Sequence, residues 1–253
     1  MVLVQELVLK QQSLYMPNKF TFRSNRKELI DESKIPSGLL YKNLKELDIL
    51  NRTTGGHTLS LKGIKQLITD RNKNYHIVDL GCGSGDALKY IADWSRLNKY
   101  KVKFTGVDMN ADAIEYLKNH CIDYPEINGI AADYQDYLNK HEAIDLIHCS
   151  LFCHHLNDNE LLNLFIYLRQ QAKMGFVIND LQRHWLAYYS AWLFPRILKG
   201  TKLAKNDGPI SVLRGFKPHE IKQLLTKASI TDYSIQKAFA FRYLVVGKTA
   251  KYD

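Results

Sequence analysis

The chain of 253 residues is 45% hydrophobic, 24% charged and 11% aromatic. This composition is typical of a globular protein with a sizeable core, and it excludes disordered, collagen-like and coiled-coil chains. The sequence has no run of ~18 apolar residues that could cross a membrane and no secretory signal pattern at its start. Its four cysteines form no C-x-x-C pair, so we expect reduced thiols and a cytoplasmic location.

The formal net charge of +9 is divided unevenly along the chain. Residues 1–75 sum to +6, residues 76–180 to −6 and residues 181–253 to +9. Basic flanks around an acidic middle indicate different tasks for these segments. Solvated helix faces give the same counts as an RNA-binding surface, so we predict no nucleic-acid partner and keep RNA binding only as an alternative.

The first part of the chain is predicted to be helical. Residues 1–22 form an N-terminal extension, in which Met16 is an alternative start to Met1. After it, apolar side chains recur at the 3.6-residue spacing of a helix, and residues 23–74 are predicted to be a helical cap. The predicted helices of this cap cover residues 25–33, 39–52 and 60–68.

Strands and helices alternate through the middle of the chain, which predicts βαβ crossovers and a parallel sheet. Two further strands in the tail follow each other so closely that they must pair antiparallel. We therefore predict one α/β domain over 75–253, with a substrate-lid insertion over 181–216 after the fifth strand. The predicted strands are 75–80, 101–108, 127–133, 143–150, 174–180, 231–237 and 238–248.

The most informative motif is DLGCGSGD (residues 79–86), between the first strand and a helix. Its glycines let the backbone turn tightly beside a ligand, and the helix N-terminus offers free N–H groups. A dinucleotide fingerprint needs a third glycine where Asp86 stands, and this carboxylate would repel a pyrophosphate. Asp79, in contrast, suits a ligand that carries a cationic amino group.

Acidic residues also end the next two strands. Asp108, in FTGVDMN, is placed to accept two ribose hydroxyls, and Asp133, in AADY, to accept an adenine amino proton. The carboxyl ends of parallel strands meet at one edge of the sheet, so these acids are expected to lie along one pocket. Together with Asp79 they predict a site for a nucleoside that bears an amino acid.

The motifs DLGCGSGD, GVDMN, AADY and IDLIHCSLFCHHL resemble those of class I S-adenosylmethionine (SAM)-dependent methyltransferases over about residues 75–180. The resemblance implies SAM as cofactor and a Rossmann-like, mostly parallel sheet of seven strands whose last strand is antiparallel. It implies that the glycine loop contacts the methionine part, Asp108 the ribose and Asp133 the adenine. The predicted cofactor-binding residues are Asp79, Gly81, Cys82, Gly83, Asp108, Met109, Ala132, Asp133, Tyr134 and Ser150.

His154 and His155 follow the fourth strand, where this fold places the methyl group of the cofactor. Methylation of a phenol or an enol needs a base, and an imidazole has a suitable pKa. Either histidine is a candidate base, and either could instead cap a helix or bond the backbone. His184, at the start of the insertion, is the third catalytic candidate. Cys153 is predicted to pack rather than react, and no metal ligands are predicted.

The insertion begins with a helix that is apolar nearly all round. Trp185, Tyr188 and Trp192 form one stripe, and Pro195 is predicted to break or kink the helix. Such a helix must be covered, and three covers stay open: the protein core, a lipophilic substrate or a membrane surface. The predicted substrate residues are Arg183, Trp185, Tyr188, Tyr189 and Arg214.

The segments NRTTGGHTLSLKGI, NDLQRHWLAYY and DGPISVLRGFKPHE resemble small-molecule methyltransferases from bacterial polyketide and pigment gene neighbourhoods. In the last segment, Asp207, Ser211 and Arg214 either close the substrate pocket or tie the insertion to the domain. The resemblance implies O-methylation of a small phenolic or lipophilic metabolite. C-methylation of an aromatic polyketide is the close alternative because it needs the same base, and the oligomeric state stays open.

Overall fold

The computed structural model describes residues 18–32, 35–140 and 144–249, and its strands form one seven-stranded sheet. The strands are β1 (Asn74–Leu80), β2 (Lys101–Asp108), β3 (Ile127–Ala131), β4 (Ile144–Ser150), β5 (Ala172–Leu181), β6 (Tyr233–Ala238) and β7 (Arg242–Lys248). Their order is β3-β2-β1-β4-β5-β7-β6. β1 to β5 pair in parallel, whereas β7 is antiparallel to both neighbours. The predicted fold class is therefore confirmed.

Helices surround the sheet and begin and end close to the predicted positions in the middle of the chain. They are α1 (Ser37–Thr53), α2 (Gly56–Ile64), α3 (Asp86–Leu97), α4 (Ala111–His120), α5 (Tyr134–Lys140), α6 (Asp158–Gln171), α7 (Trp185–Ile197), α8 (Lys202–Arg214) and α9 (Pro218–Lys227). Two 3₁₀ turns, Leu29–Asp31 and Cys153–His155, complete the set that the described residues show. Sequence reasoning did not predict α5 or α8.

Apolar side chains cover the sheet on both faces. On one face, α2 and α3 place Ile64 and Leu88 against the sheet residues Ile77 and Phe104, all fully buried. On the other face, α5, α6 and α9 pack on β1, β4 and β5 in a larger cluster. With both faces covered, the open edge at the carboxyl ends of the strands is where a ligand meets polar groups.

A helix is predicted over residues 25–33, but in the described part of this range, residues 25–32, only the 3₁₀ turn Leu29–Asp31 forms. The backbone N–H groups of Leu29 and Ile30 donate to the Asp207 carboxylate of α8, at 2.8 and 3.0 Å. These tertiary bonds replace the local bonds that a helix would need. The helix predicted over 60–68 also starts earlier, at Gly56, because Gly55 adopts the left-handed conformation (φ 75°) and begins it.

The insertion after β5 is a pair of packed helices, α7 and α8, rather than one helix broken at Pro195. Pro195 lies in the last turn of α7, where the missing N–H removes a single hydrogen bond and the helix continues to Ile197. The two helices approach closely at Gly208, where a Cβ would lie 3.2 Å from the carbonyl oxygen of Ala191. This contact explains a glycine inside α8.

Only the end of the predicted N-terminal extension belongs to the described residues. The prediction about Met1 and Met16 lies outside them. Residues 18–22 run beside α7, where the rings of Phe20 and Tyr188 meet edge to face at 5.6 Å. Throughout the described chain, each helix is too short or too polar to pass through a membrane.

Candidate active site

The glycine loop after β1 is held in a conformation that only glycine adopts easily. Gly81, Gly83 and Gly85 all have positive φ angles, of 69°, 50° and 70°. Gly81 also has no room for a side chain, because a Cβ would lie 2.3 Å from Cδ2 of Phe152. The loop therefore packs directly on the segment that carries the two histidines.

Asp79 lies beneath this loop and is 2% exposed. Its Oδ1 is 2.7 Å from Nδ1 of His148, whose Nε2 is 2.8 Å from Oγ of Ser60 in α2. One oxygen of Asp79 is thus used inside the protein. The predicted contact between Asp79 and an amino group of the cofactor would therefore use Oδ2 of Asp79, and it stays a prediction.

Asp108 stands at the end of β2 and bonds the glycine loop. Its Oδ2 accepts the Gly83 N–H at 3.0 Å, and its Oδ1 accepts the Asn110 N–H at 2.9 Å. Burial raises the pKa of Asp108, although these two N–H donors act in the opposite direction. Each oxygen keeps a lone pair, so the carboxylate can still accept ribose hydroxyls. The next residue, Met109, is 81% exposed and free to cover a flat ring.

The other predicted cofactor residues are placed in different ways around this edge. Asp133 is exposed, with Oδ1 accepting the Gln135 N–H at 2.7 Å, while Ala132 and Ser150 are half-buried at strand ends. Tyr134 is buried, and its ring meets Phe152 edge to face at 5.6 Å.

The Cys82 side chain belongs to the protein core. The thiol is buried with Ile114 and Leu117, and only the backbone of Cys82 lies in the loop. Burial, followed by the nearby charge of Asp108, raises the pKa of this thiol well above its usual value. A neutral, packed thiol leaves Cys82 with backbone contacts to offer a cofactor.

His154 is fixed by an aspartate at the end of β5. Its Nδ1 lies 2.7 Å from Oδ1 of Asp180, and its backbone N–H donates to the other carboxylate oxygen at 3.2 Å. Burial raises the pKa of Asp180, but the charge of His154 and the hydrogen bond to it outweigh burial and lower the pKa overall. Asp180 is therefore ionised, and it fixes the orientation of the His154 ring as the aspartate of a catalytic triad does.

His155 is the more accessible of the two histidines. Its ring lies 4.3 Å from that of His154, and its Nδ1 is 2.9 Å from Oδ1 of Asp31. Burial lowers the pKa of His155, but the bond to Asp31 and the charge of Glu28 outweigh burial and raise the pKa overall. The charge of His155 also acts against the larger effect of burial, which raises the pKa of Asp108. The His155 ring is thus the more exposed member of the histidine pair, 23% against 3% for His154.

Glu28 is a site residue that sequence reasoning missed. It is 3% exposed, and its Oε1 has no hydrogen-bond partner. This oxygen lies 3.7 Å from His154 Nε2, 3.9 Å from His155 Nδ1 and 3.7 Å from Arg214 Nε. No sequence signal points to Glu28, because it stands 126 positions before His154.

Arg214 holds the histidine segment by its backbone. Its Nε donates to the carbonyl of His154 at 2.8 Å, its Nη2 donates to the carbonyl of His155, and its Nη1 donates to the carbonyl of Arg26 at 2.7 Å. Ser211, in the same helix as Arg214, donates to the Glu28 carboxylate at 2.6 Å. These bonds, together with those of Asp207 to the backbone of residues 29 and 30, favour the second of the two predicted roles, in which Asp207, Ser211 and Arg214 tie the insertion to the rest of the domain.

Arg183 is buried and bonded within the protein in the same manner. Its guanidinium donates to the carbonyls of Phe20 and Gly215, at 3.0 and 2.5 Å, and to the Glu220 carboxylate at 2.5 Å. A contact of Arg183 or Arg214 with substrate would need these bonds to be exchanged. The predicted substrate roles of the two arginines stay predictions.

The remaining predicted residues lie at the surface of α7. His184 caps this helix by accepting the Leu186 N–H at 3.2 Å, and its ring stacks on Phe241 at 4.8 Å. Trp185 and Tyr189 are each 53% exposed, so the core does not cover this helix. Tyr188 is half-buried, with the Lys19 Nζ over its ring at 3.6 Å.

A groove of about 580 Å³ runs between α7 and α8. Tyr188 and Trp192 form its aromatic wall. Arg26, Arg196, Lys202 and Lys205 give it four cationic side chains. The carbonyl of Arg26 also accepts from Arg214, so the groove adjoins the segment that carries Glu28.

A buried polar network ties α1 and α2 to the strand ends, and sequence reasoning missed it as well. Arg242, at the start of β7, donates to Asn51 at 2.7 Å and to Asn179 at 3.3 Å. Asn179 donates in turn to the Gly56 carbonyl and to Ser60, at 2.8 and 3.0 Å. Burial lowers the pKa of Arg242 to about 10. The network fixes the helical cap above the sheet edge.

Among the described residues, two groups bring potential metal ligands within 4.8 Å of one another: Glu28–His154–His155 and Asp48–His57–Asp86. In the first group, the Arg214 guanidinium already provides a positive charge beside Glu28. In the second, both carboxylates lie within 3.3 Å of the His57 Nε2, which joins them without an ion. We assign no metal to either group, and the absence of a metal cofactor stays a prediction.

Comparison with protein families identifies the middle of the chain. Residues 77–175 match the family model described as a methyltransferase domain. The ubiquinone biosynthesis O-methyltransferase of Coxiella burnetii (strain RSA 493 / Nine Mile phase I) is 27% identical over 166 residues, or 62% of this chain. The match spans 64% of that relative, slightly less than two thirds of its length.

Solved structures with the same fold include two complexes with SAM or its demethylated product. The plantazolicin methyltransferase BpumL in complex with SAH is 16% identical, with a TM-score of 0.62 over 84% of this chain and 95% of its own. Human N-acetylserotonin methyltransferase in complex with SAM is 16% identical, with a TM-score of 0.58 over 85% and 57%.

Together, the family match and the shared fold agree with the predicted fold, enzyme class and cofactor. The acceptor, O- or C-methylation, and the polyketide gene-neighbourhood resemblance go beyond these findings.

Proposed function

Starting from a chain with a methyltransferase domain in a SAM-binding fold, we propose that the protein transfers a methyl group from SAM to a small phenolic or lipophilic metabolite, on oxygen. The single observation that carries the finer part is the Asp180–His154–His155 arrangement beside the glycine loop. It supplies an oriented base where the fold brings the acceptor, which a hydroxyl nucleophile needs.

The residues at the ends of β1 to β3 suit SAM rather than a dinucleotide. Asp108 keeps lone pairs for two ribose hydroxyls, and the positive φ angles of Gly81 and Gly83 let the loop turn tightly at the strand end. Exposed Met109 is placed to cover an adenine ring. When bound, SAM supplies a methyl group on a sulfonium, which is electrophilic without further activation.

The proton step falls to the histidines. His155 is accessible, lies within electrostatic reach of Asp108, and has a raised pKa, which makes it the better proton acceptor. His154 is held in place by ionised Asp180, and its ring packs 4.3 Å from the His155 ring. We assign His155 as the base and His154 as its positioning partner.

Binding of the acceptor is assigned to the surface between the N-terminal segment, α7 and α8. Trp185, Tyr188 and Tyr189 offer aromatic surface there, which suits a lipophilic ring or chain. C-methylation of an electron-rich aromatic polyketide uses the same base and remains the alternative reaction. The position of the methyl group in the product separates the two.

Product analysis with labelled SAM tests the proposal. The full chain is first titrated with SAM and with NAD by calorimetry, then incubated with methyl-labelled SAM and an alkylated phenol, its unalkylated parent and total RNA. We expect binding of SAM, no binding of NAD, and label on the phenolic oxygen with a preference for the alkylated phenol.

Three results would contradict parts of the proposal. Binding of NAD instead of SAM would contradict the assignment as a methyltransferase. Label on a ring carbon would show C-methylation instead of O-methylation. Label on RNA alone would contradict the assignment of a small-molecule acceptor. His155→Gln is the matched variant, and it should bind SAM with unchanged affinity while its turnover falls.

A further inference from the structure

The helix α7 exposes far more apolar surface than packing requires. Ala187 is its one buried residue. Five large apolar side chains of α7 and the next residue are 53–74% exposed: Trp185, Tyr189, Phe194, Ile197 and Leu198. The described chain has fifteen exposed large apolar residues, and eight of them fall within residues 185–198. Such a concentration marks an interaction surface rather than ordinary exposure.

The charge around α7 has a single sign. From residue 181 to residue 206 the sequence contains five lysines and arginines and no aspartate or glutamate. Arg196, Lys199 and Lys202 are exposed beside the apolar residues, and Lys205 lines the adjoining groove. The two acids that flank this stretch, Asp180 and Asp207, are both buried. Asp180 bonds His154, and Asp207 bonds the backbone of residues 29 and 30. Buried Arg183 is neutralised by Glu220. The other four cations, which are Arg196, Lys199, Lys202 and Lys205, form no ion pair with any described residue.

These two features together select the partner. A second copy of the chain would place the same cationic cluster against itself across a two-fold axis, which opposes association. A bilayer with anionic lipids instead matches both features, because its phosphates attract lysine and arginine while its acyl boundary accepts apolar side chains. The thirteen residues of α7 extend only ~20 Å, too short to span a bilayer but suited to lying in its interface.

We propose that the protein docks on anionic membranes through α7 and the cationic groove beside it. Phe194, Ile197 and Leu198 enter the acyl boundary, and the groove cations meet lipid phosphates. This docking does not depend on the proposed activity, because it needs neither cofactor nor acceptor. It would bring the groove between α7 and α8 to the layer in which lipophilic molecules dissolve.

Vesicle binding of the full chain tests the inference. Sedimentation is measured with phosphatidylcholine vesicles and with vesicles that also contain phosphatidylglycerol. We expect binding to the anionic vesicles, loss of binding in high salt, and at least a ~10-fold weaker partition for the triple variant Phe194→Ser, Ile197→Ser, Leu198→Ser. The matched control replaces three apolar residues elsewhere that are even more exposed: Leu97, Ile122 and Phe239.

Charge and tryptophan fluorescence give two independent readouts. The variant Lys199→Gln, Lys202→Gln, Lys205→Gln should lose binding, whereas Lys101→Gln, Lys103→Gln, Lys118→Gln should keep it. Brominated lipids should quench Trp185 and Trp192. A Trp94→Phe protein should retain that quenching, because Trp94 belongs to α3 and not to α7.

Three outcomes would overturn the inference. One is that wild-type protein ignores anionic vesicles, and another is that the α7 and control variants bind equally. The third is a dimer in dilute solution that the α7 variant converts to a monomer without any vesicle binding by the wild type, since α7 would then join two copies. Calorimetry with SAM shows in each case that the variants are folded.

Discussion

The two halves of the strand-end edge are assembled differently. Over β1 to β3, each predicted cofactor contact comes from the end of a strand or from the loop directly after it, such as Gly81 and Asp108. Over β4 and β5, the histidine segment is surrounded by side chains from distant parts of the chain, including Glu28, Asp180 and Arg214. The cofactor half is a local design, whereas the acceptor half exists only after the N-terminal segment and α8 have docked. Substitutions should therefore separate cofactor binding from turnover.

The largest effect is expected at the histidines. His155→Gln should lower kcat by roughly 10²–10⁴-fold, because a general base typically contributes that much. SAM affinity should stay unchanged, since the cofactor half uses other residues. Steady-state turnover assays measure kcat, and calorimetry measures the SAM affinity. Near-parental rates for His154→Gln, His155→Gln and His184→Gln alike would end the general-base assignment and leave catalysis by positioning alone.

A loss of stability together with turnover is expected for Arg214→Met. The substitution leaves three backbone carbonyls and Glu28 without their cation, which should lower the free energy of unfolding by about 2–5 kcal/mol. Urea unfolding measures the loss, and Arg196→Met, an exposed arginine at the end of α7, is the control. If Arg214→Met were as stable as this control, the docking of the acceptor half would not rest on Arg214.

A selective loss of cofactor binding is expected for Asp108→Ala. Without the carboxylate, hydrogen bonds to the ribose are lost, and SAM binding should weaken by about 1–3 kcal/mol. Calorimetry measures this change, with Asp123→Ala, an exposed aspartate outside the predicted cofactor set, as the control. Unchanged SAM affinity in folded Asp108→Ala would remove Asp108 from the cofactor site and would erase the contrast between the two halves.

The smallest effect is a shift in pH dependence for Asp31→Asn. Asp31 and Glu28 raise the pKa of His155, so the neutral base forms at higher pH than for an ordinary histidine. Removing Asp31 should lower that pKa and move the acid limb of the pH–rate profile toward lower pH. An unmoved limb would mean that His155 is not the group that titrates.

Stability should change with pH in a matching way for the same variant. The raised pKa of His155 gives stability that is present below its unfolded value of about 6.5 and is lost as pH rises through the folded value. The lowered pKa of Asp31 gives stability above its unfolded value of about 3.9. Asp31→Asn should therefore be destabilised most between these values and little in alkaline solution, as thermal unfolding across pH would show.

The sequence predicted the sheet and the cofactor edge because their signals are local. A buried strand, a glycine turn and an acid at the strand end are adjacent in the chain, and parallel pairing then brings Asp79, Asp108 and Asp133 to one edge. The same reasoning failed for residues 25–33, where the spacing predicts a helix but Asp207 captures the backbone N–H groups. The helix propensity of this segment was overridden by hydrogen bonds to Asp207, a residue that no local stretch of the sequence includes.

The acceptor half could be predicted only in part for the same reason. His154 and His155 follow from their place after β4, but Glu28 and Arg242 become visible only when helices from both ends of the chain pack on the sheet. The aromatic helix was predicted as needing a cover, and its cover is absent from the described residues. Hydropathy indicates that a surface is apolar, but it does not indicate which partner lies on it.

The contact between Gly81 and Phe152 limits how this protein can be redesigned. The glycine loop and the histidine segment touch so closely that a single added methyl would meet an aromatic ring, and the left-handed backbone adds its own restriction. A chimaera that takes its acceptor loop from another methyltransferase would have to bring a residue that fits against a bare glycine backbone. The two loops are thus one engineering unit, and exchanging acceptor specificity means transplanting them together.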